Sequence, residues 1–188
     1  MNATLKTTAL ACAFAALTTA GFAQDAAAPA IPTAETAKVG KMYLAETSEP
    51  WELRCTKVET GDTPCQMFQL LKDASGGDVA EFNIFKIPEG AKAAAGAVIV
   101  VPLETLLEAG LVMKVDENEA RGYPFAFCNS YGCIARVGFT AEEVRWMKDG
   151  KAATISIVPA LAPEARVDLT LSLKGFTAMY EKTLAAPE

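Results

Sequence analysis

Apolar and polar residues alternate along much of the chain, which is typical of β-strands that bury one face. The alternation is clear from Trp51 to Cys55 and from Val167 to Leu173. The apolar, largely β-branched run from Ala97 to Val101 indicates a strand that is covered on both faces. The same patterns predict further strands at residues 65–71, 79–87, 111–116 and 152–158, and two hairpin arms within residues 123–136.

Turn-forming residues separate these strands at short intervals, for example at Gly61 to Pro64 and at Lys72 to Asp78. A parallel α/β fold requires helical crossovers of about a dozen residues between its strands. The sequence shows no helical pattern of that length between the predicted strands. We therefore predict an all-β fold, either an antiparallel sandwich or a partly open barrel, with about eight strands.

One short helix is predicted over residues 140–149. Thr140 and Glu143 match a capping box, in which the side chain of each residue accepts a hydrogen bond from the backbone N–H of the other. Val144 and Met147 lie on one face of this helix and are predicted to face the core, and a glycine follows the last turn. A short amphipathic helical tail is predicted near the C-terminus.

A hairpin is predicted in the middle of the chain, where Cys128 and Cys133 flank a four-residue loop of turn formers. An apolar run leads into the loop from each side, so both arms are predicted to enter the core. Phe125 and Phe127 share strand parity and are predicted to be core residues. Tyr131 lies at the tip and is the aromatic residue expected to be exposed, with packing against its own hairpin as an equal alternative.

The N-terminus has the pattern of an export signal. Lys6 precedes a short apolar run from Ala9 to Leu17, and Gly21 to Ala23 supplies small residues for cleavage. A membrane-spanning helix needs about 20 apolar residues, which this run does not provide. We predict three segments: a cleaved signal peptide at residues 1–23, a flexible Ala- and Pro-rich leader at residues 24–41 and a single β domain at residues 42–188.

Removal of residues 1–23 from the 188-residue chain leaves 165 residues and four of the five cysteines. An even number of cysteines in an exported protein indicates two disulfides. Three connectivities are possible, and proximity in the sequence favours Cys55–Cys65 and Cys128–Cys133. A redox-active Cys128/Cys133 pair is the alternative, but redox motifs usually place two residues between their cysteines, beside a helix start.

The chain is acidic, with 17 basic and 23 acidic residues and a formal net charge of −6. It has no long basic run, which argues against binding to nucleic acid or to an anionic membrane surface. It contains no histidine, which excludes Ser-His-Asp and Cys-His catalytic sites. The cysteine spacing does not match a structural zinc site either. We predict no cofactor and no metal.

Asp116 to Glu119 is the densest group of potential oxygen ligands in the chain. A calcium loop requires continued alternation and a glycine at its sixth position, where Ala120 and Arg121 stand instead. The segment is therefore interpreted as a solvated turn. No pair of carboxylates stands out as catalytic. The candidate binding residues are the polar and aromatic groups of the central hairpin: Tyr131, Asn129 and Tyr123.

Several short motifs occur in a fixed order along the chain: Trp51-x-x-x-Cys55, Cys65-x-Met67-x-Gln69, Phe125 to Cys128, Gly132-Cys133 and Leu171 to Phe176. This order resembles the invasion-associated locus B family of small exported bacterial proteins, over about residues 45–180. The resemblance implies a β-rich protein of the periplasm or outer membrane of a Gram-negative bacterium, with a link to entry into host cells. It implies no catalytic residues.

Two functions follow as hypotheses. The first is a non-enzymatic envelope protein that binds a protein or glycan partner of the envelope or host surface and contributes to host-cell interaction. The mature chain is predicted to have no transmembrane segment. The second is a periplasmic redox accessory or enzyme that uses Cys128 and Cys133.

Overall fold

Eleven strands and two short α-helices make up the described part of the chain, residues 31–88 and 90–184 of a computed structural model. A 3₁₀ turn, Leu107–Ala109, follows the fifth strand. The strands are β1 (Met42–Ser48), β2 (Trp51–Thr56), β3 (Cys65–Lys72), β4 (Asp78–Lys86), β5 (Ala95–Val101), β6 (Leu111–Val115), β7 (Arg121–Tyr123), β8 (Phe125–Asn129), β9 (Gly132–Phe139), β10 (Ala152–Ile157) and β11 (Val167–Ser172), and the helices are α1 (Ala141–Asp149) and α2 (Phe176–Tyr180).

The strands of the described residues form one antiparallel sheet in the order β7-β6-β10-β11-β3-β4-β5-β9-β8, with β2 and then β1 branching from β3. The first half of β3, Cys65 to Phe68, pairs with β2, whereas its last residue, Lys72, pairs with Thr170 of β11. The two end strands, β7 and β8, are separated in the chain by Pro124 alone. One continuous segment therefore forms both ends of the sheet, which curves into a nearly closed barrel.

A buried glutamine side chain adds to the backbone pairing where β3 meets β11. The side-chain Nε2 of Gln69 donates to the carbonyl oxygen of Ser172 at 3.0 Å, and its Oε1 accepts from the N–H of Ser172 at 2.8 Å. Gln69 is buried, and an unpaired amide there would carry a desolvation penalty. These two bonds satisfy the amide and hold the two branches of the sheet together.

The core lies inside the curved sheet and is built from alternate strand residues. In β2, for example, Trp51, Leu53 and Cys55 are buried, whereas the residues between them face outward. The Trp51 ring lies 6.2 Å from the ring of Phe82 and 5.7 Å from that of Phe176, both in edge-to-face geometry. Phe176 opens α2, so this cluster attaches the C-terminal helix to the inner face of the sheet.

The prediction of an all-β antiparallel fold is confirmed, and the described residues contain more strands than the eight or so expected. The additional strands include β1, in which no residue is buried and apolar and polar residues stand in two blocks, and β7, which is three residues long. Neither carries enough alternation to be recognised as a strand. The run in β5 was expected to be covered on both faces, but Val98 and Val100 are only half-buried on the outer face.

The predicted signal peptide and the first residues of the predicted leader lie outside the described residues. The rest of the leader, residues 31–41, makes specific contacts with β1 and with Lys57, the residue that follows β2. The N–H of Leu44 donates to the carbonyl of Pro32 at 2.9 Å, and the ammonium of Lys57 donates to the carbonyl of Ala34 at 2.6 Å. The boundary between leader and domain stays a prediction.

Helix α1 begins as predicted, with Thr140 as its N-cap. The Thr140 hydroxyl accepts from the N–H of Glu143 at 3.2 Å, and the Glu143 carboxylate accepts from the N–H of Thr140 at 2.8 Å. Val144 and Met147 are buried against the sheet. The described residues contain no helix of the length and apolar character that a membrane crossing requires.

Ion pairs hold the C-terminal segment after α2. The Glu181 carboxylate accepts from Lys148 at 2.7 Å and from Lys86 at 3.0 Å. Both ammonium groups also lie within 6 Å of the Tyr180 ring, at 5.3 and 5.8 Å. The hydrogen bonds from Lys148 and Lys86 lower the pKa of Glu181 from 4.5 to about 2.

We expect the unfolding free energy to fall between pH 4.5 and pH 2 because of Glu181. The pKa is lower in the folded state, so the contribution is present above pH 4.5 and is lost as the pH falls toward 2. Because Glu181 is exposed, the effect is small. Urea unfolding of the wild type and of Glu181→Gln should give curves that differ at pH 6 and converge near pH 2. A constant difference across this range would contradict the assignment.

Candidate interaction surface

The β8–β9 hairpin ends in a two-residue loop, Ser130 and Tyr131, between the paired residues Asn129 and Gly132. The side-chain oxygen of Asn129 accepts from the N–H of Tyr131 at 2.8 Å, which shapes the turn. The Tyr131 side chain is 89% exposed. Of the predicted binding residues, Asn129 and Tyr131 therefore lie together at the tip, with the tyrosine ring in solvent.

Gly132 is required at the tip by close approach to a neighbouring strand. A Cβ atom on this residue would lie 2.4 Å from the carbonyl oxygen of Val101 and 2.9 Å from a methyl carbon of Val100. Any side chain would push the hairpin away from β5. The absence of a side chain thus allows the tip to lie directly against the end of β5.

Two disulfides join residues that are already paired across adjacent strands. Cys55 pairs with Cys65 between β2 and β3, and Cys128 pairs with Cys133 between β8 and β9. These are the connections that sequence proximity favours. Cys133 is buried and Cys128 is exposed. Neither bond lies at a helix start, the position that lowers a cysteine pKa in redox motifs.

A β-bulge in β8 reverses the expected orientation of Phe127. Phe125 pairs with Ala135, but Phe127 pairs with Ile134, so Ala126 is an extra residue. A one-residue shift turns the following side chains to the opposite face of the sheet. The prediction that Phe127 is a core residue is therefore wrong, since its side chain is 43% exposed. Phe125 is half-buried and packs against the core.

Phe127 ends a row of in-register residues on the outer face of the sheet. The row runs Leu70–Glu81–Val100–Ile134–Phe127 and crosses β3, β4, β5, β9 and β8 through directly paired positions. Four of its five members are apolar, and each of the four is exposed or half-buried. We call Leu70, Val100, Ile134, Phe127 and the adjoining Tyr131 the outer apolar surface.

The hairpin tip and the row are continuous. A shallow depression of about 320 Å³ is lined by apolar residues that include Leu70, Val100 and Tyr131, and by the acidic residues Asp78 and Glu81. Tyr131 thus stands beside the same outward positions of β3 and β5 that form the row. The arrangement gives a mainly apolar surface that reaches from the centre of the sheet to the hairpin tip and is interrupted by the exposed Glu81 between Leu70 and Val100.

Charged groups stand around this surface. Lys72 forms an ion pair with Asp78 beside Leu70. Across the sheet, the Arg136 guanidinium lies 5.4 Å from the centre of the Phe127 ring, within the range of a cation–π contact. Arg136 is exposed and pairs with no carboxylate among the described residues.

Tyr123 lies apart from the outer apolar surface, in a small cavity beside α1. Its ring packs edge-on against Phe139 at 5.7 Å, and its hydroxyl donates to Glu143 at 2.5 Å. Burial and this hydrogen bond raise the pKa of Tyr123. Burial alone would raise the pKa of Glu143, but hydrogen bonds from Tyr123 and Thr140 lower it, as does the charge of Arg121. The pair connects β7 to α1, so its visible role is structural.

The acidic segment predicted to be a turn forms specific contacts. The carboxylate of Asp116 accepts from the N–H groups of Lys151 and Ala152 at 2.8 and 3.1 Å. Glu117 pairs with Lys114 and Glu119 with Arg121. Among the described residues, no group of three or more potential ligands is arranged to hold a metal ion.

Comparison with known proteins decides the family. A family model described as "Invasion associated locus B (IalB) protein" matches residues 51–184, which is more than half of the chain. The chain belongs to the invasion associated locus B family. The matched segment begins at Trp51 and includes both disulfides and the whole outer apolar surface.

Two proteins described as invasion protein B homologs are similar to this chain in sequence. The invasion protein B homologs of Brucella abortus strain 2308 and of Brucella abortus biovar 1 strain 9-941 are each 29% identical to this chain over 146 residues, covering 78% of the chain and 82% of the relative. The crystal structure of invasion associated protein B from Bartonella henselae has a TM-score of 0.62 at 21% identity, covering 73% of this chain and 92% of that one. This structural likeness establishes a shared fold.

Sequence patterns did not locate most of the outer apolar surface. Leu70, Val100 and Ile134 lie on three strands that are distant in the sequence, and only the strand register aligns them. One usable signal was present, because β5 is apolar at consecutive positions, so that both of its faces carry apolar side chains. Sequence patterns also did not indicate Arg136 as part of the site. The bulge in β8 turns Phe127 to the outer face of the sheet, and only this places the Phe127 ring near the Arg136 guanidinium.

Proposed function

We propose that this chain is an exported, non-enzymatic envelope protein that binds a protein partner through the outer apolar surface. The row of Leu70, Val100, Ile134 and Phe127 is the observation that carries the proposal. Exposed apolar residues gathered on one face mark interaction sites on folded proteins, and here Glu81 adds one charge within the row. The acids Glu143, Asp116 and Glu181 are each engaged in structural hydrogen bonds.

Export is supported by the N-terminal pattern and by the cysteines. Residues 1–23 match a secretory signal, and the four cysteines of the remaining chain form two disulfides. Disulfides of this type form and persist in oxidising compartments such as the periplasm. Both features fit a protein of the bacterial envelope.

A protein partner fits the surface better than a glycan. Protein interfaces are enriched in aromatic residues and arginine at the points that contribute most affinity. Tyr131, Phe127 and Arg136 supply these residue types at one end of the row. The other apolar members of the row, Leu70, Val100 and Ile134, are aliphatic, and Glu81 is its one charged member. An aliphatic strip complements an apolar protein surface, whereas a sugar requires many polar groups.

The names of the relatives suggest where that partner is found. The two Brucella relatives are described as invasion protein B homologs, and the Bartonella protein as invasion associated protein B. For this chain, we propose a corresponding contribution to contact with host cells.

Charge placed on the row tests the proposed function. Purified oxidised wild-type protein and the double variant Leu70→Asp/Val100→Asp are immobilised and exposed to detergent-solubilised envelope extract of the source bacterium and to host-cell membrane extract. Retained proteins are quantified by mass spectrometry. We expect partners retained by the wild type to fall at least about tenfold on the variant, because two unpaired charges buried on docking oppose binding.

Val39→Asp provides the matched control. Val39 is 53% exposed on the segment before β1, away from the row. This variant should retain the same proteins as the wild type, and circular dichroism should show the same fold for all three. If the row variant retains the same proteins as the control, the outer apolar surface is not the binding site and the proposal fails.

A further inference from the structure

Strand β8 has an unpaired edge beside the outer apolar surface. Among the described residues it pairs with β9 alone, and it ends the sheet. The other two edge strands are better protected against pairing with another chain. Strand β7 has only three residues, one of them the charged Arg121, and in β1 the N–H of Leu44 already donates to the carbonyl of Pro32. Proteins usually shield edge strands with charges, proline or short length. Residues 125–131 contain neither a charge nor a proline.

The outward backbone groups of this edge can be assigned at Cys128. In an antiparallel pair, residues that do not exchange hydrogen bonds have Cα atoms about 4.5 Å apart, against about 5.5 Å for those that do. The Cα atoms of Cys128 and Cys133 are 4.0 Å apart. The N–H and C=O of Cys128 therefore point away from β9, toward the open edge, where an added strand would meet them.

The side chains beside the edge specify what such a strand would carry. Phe127 is the last member of the in-register row, so an added strand would place one of its residues directly opposite Phe127. An apolar side chain at that position would pack against the Phe127 ring. The Arg136 guanidinium lies over the Phe127 ring and pairs with no carboxylate of the described chain. A carboxylate on the added strand would pair with it.

We propose that β8 binds an extended segment of the partner protein as an additional strand, with an apolar side chain beside Phe127 and a carboxylate at Arg136. The inference rests on the proposed function and gives it a binding mode, β-strand addition. A second copy of this chain is a poorer occupant. Strands β8 and β9 contain no acidic residue. If two copies paired through β8, these strands would therefore supply no carboxylate to the Arg136 side chain of either copy.

Selection from a peptide library tests the proposal while the partner is still unidentified. A phage library of randomised seven-residue peptides is selected in parallel on the oxidised wild-type protein and on Arg136→Glu. We expect the wild type to select alternating apolar residues with one aspartate or glutamate, and the variant to select lysine or arginine at that position. With the best acidic peptide, Arg136→Gln should weaken binding about threefold.

Amide hydrogen exchange then identifies the binding mode. The best peptide should slow exchange of the Cys128 N–H, because strand addition gives that outward group an acceptor. Selection of peptides without alternation or acid preference, binding that leaves this amide unprotected, or sedimentation of the protein alone as a dimer through β8 would overturn strand addition. If the row variant still loses its envelope partners, the proposed function stands; if it retains them, both proposals fail.

Discussion

Replacing Trp51 with alanine is expected to lower the free energy of unfolding by about 3–5 kcal/mol. Trp51 is fully buried and contacts Phe82 of β4 and Phe176 of α2 in edge-to-face geometry. Removal of the indole leaves a cavity between the sheet and the C-terminal helix, and the surrounding β-strands cannot move together to fill it. Urea denaturation followed by circular dichroism measures the change.

Trp51→Phe is the matched comparison. The indole N–H has no hydrogen-bond partner among the described residues, so its loss removes no hydrogen bond. The phenyl ring also preserves most of the aromatic contact, and we expect a loss of about 1–2 kcal/mol. Leu161→Ala, at a side chain that is 86% exposed, should change stability by less than about 0.5 kcal/mol. A loss in Trp51→Ala as small as in Leu161→Ala would show that the cluster does not hold α2.

The elements that follow local rules could be predicted from the sequence. Alternation placed β2 and β11 within a residue or two, and the capping box placed the start of α1 at Thr140. Both signals consist of residues close together in the sequence. The all-β class followed because each strand is short and bounded by turn residues.

The arrangement of the strands could not be predicted, because it depends on contacts between distant segments. Lys72 pairs with Thr170, and the buried Gln69 bonds to Ser172, about a hundred residues away. No local pattern distinguishes Gln69 from a surface glutamine. Closure of the sheet also depends on Pro124, where the chain leaves one end of the sheet and enters the other.

The candidate site was predicted where exposure follows from position in a turn. Tyr131 and Asn129 lie at the tip of a hairpin that its turn residues and cysteines indicated. Their binding role stays a prediction. Phe127 was misassigned because parity arguments assume an unbroken strand, and a single extra residue at Ala126 reverses the parity. Tyr123 was grouped with the tip by sequence proximity, although its hydroxyl bonds to Glu143 at α1.

The second large effect is expected from removing the Cys55–Cys65 disulfide. The double variant Cys55→Ala/Cys65→Ala should lose about 3 kcal/mol in unfolding free energy, and Cys128→Ala/Cys133→Ala about 2 kcal/mol, because the first bond closes the longer loop in the unfolded chain. Double variants avoid a free thiol that could form wrong disulfides. Urea unfolding under non-reducing conditions, with wild type as reference, measures both losses.

The same bonds separate a structural role from the redox alternative. Both pairs are formed between residues that the sheet already holds opposite each other, so folding keeps the sulfur atoms together after reduction and favours reoxidation. In thiol titration of the folded protein under mild reductant, we therefore expect both bonds to stay oxidised. The contrary result is that Cys128 and Cys133 alone reduce readily and the exposed Cys128 thiol has a depressed pKa. The hairpin would then carry a redox-active dithiol, and the redox function would replace the proposed binding function.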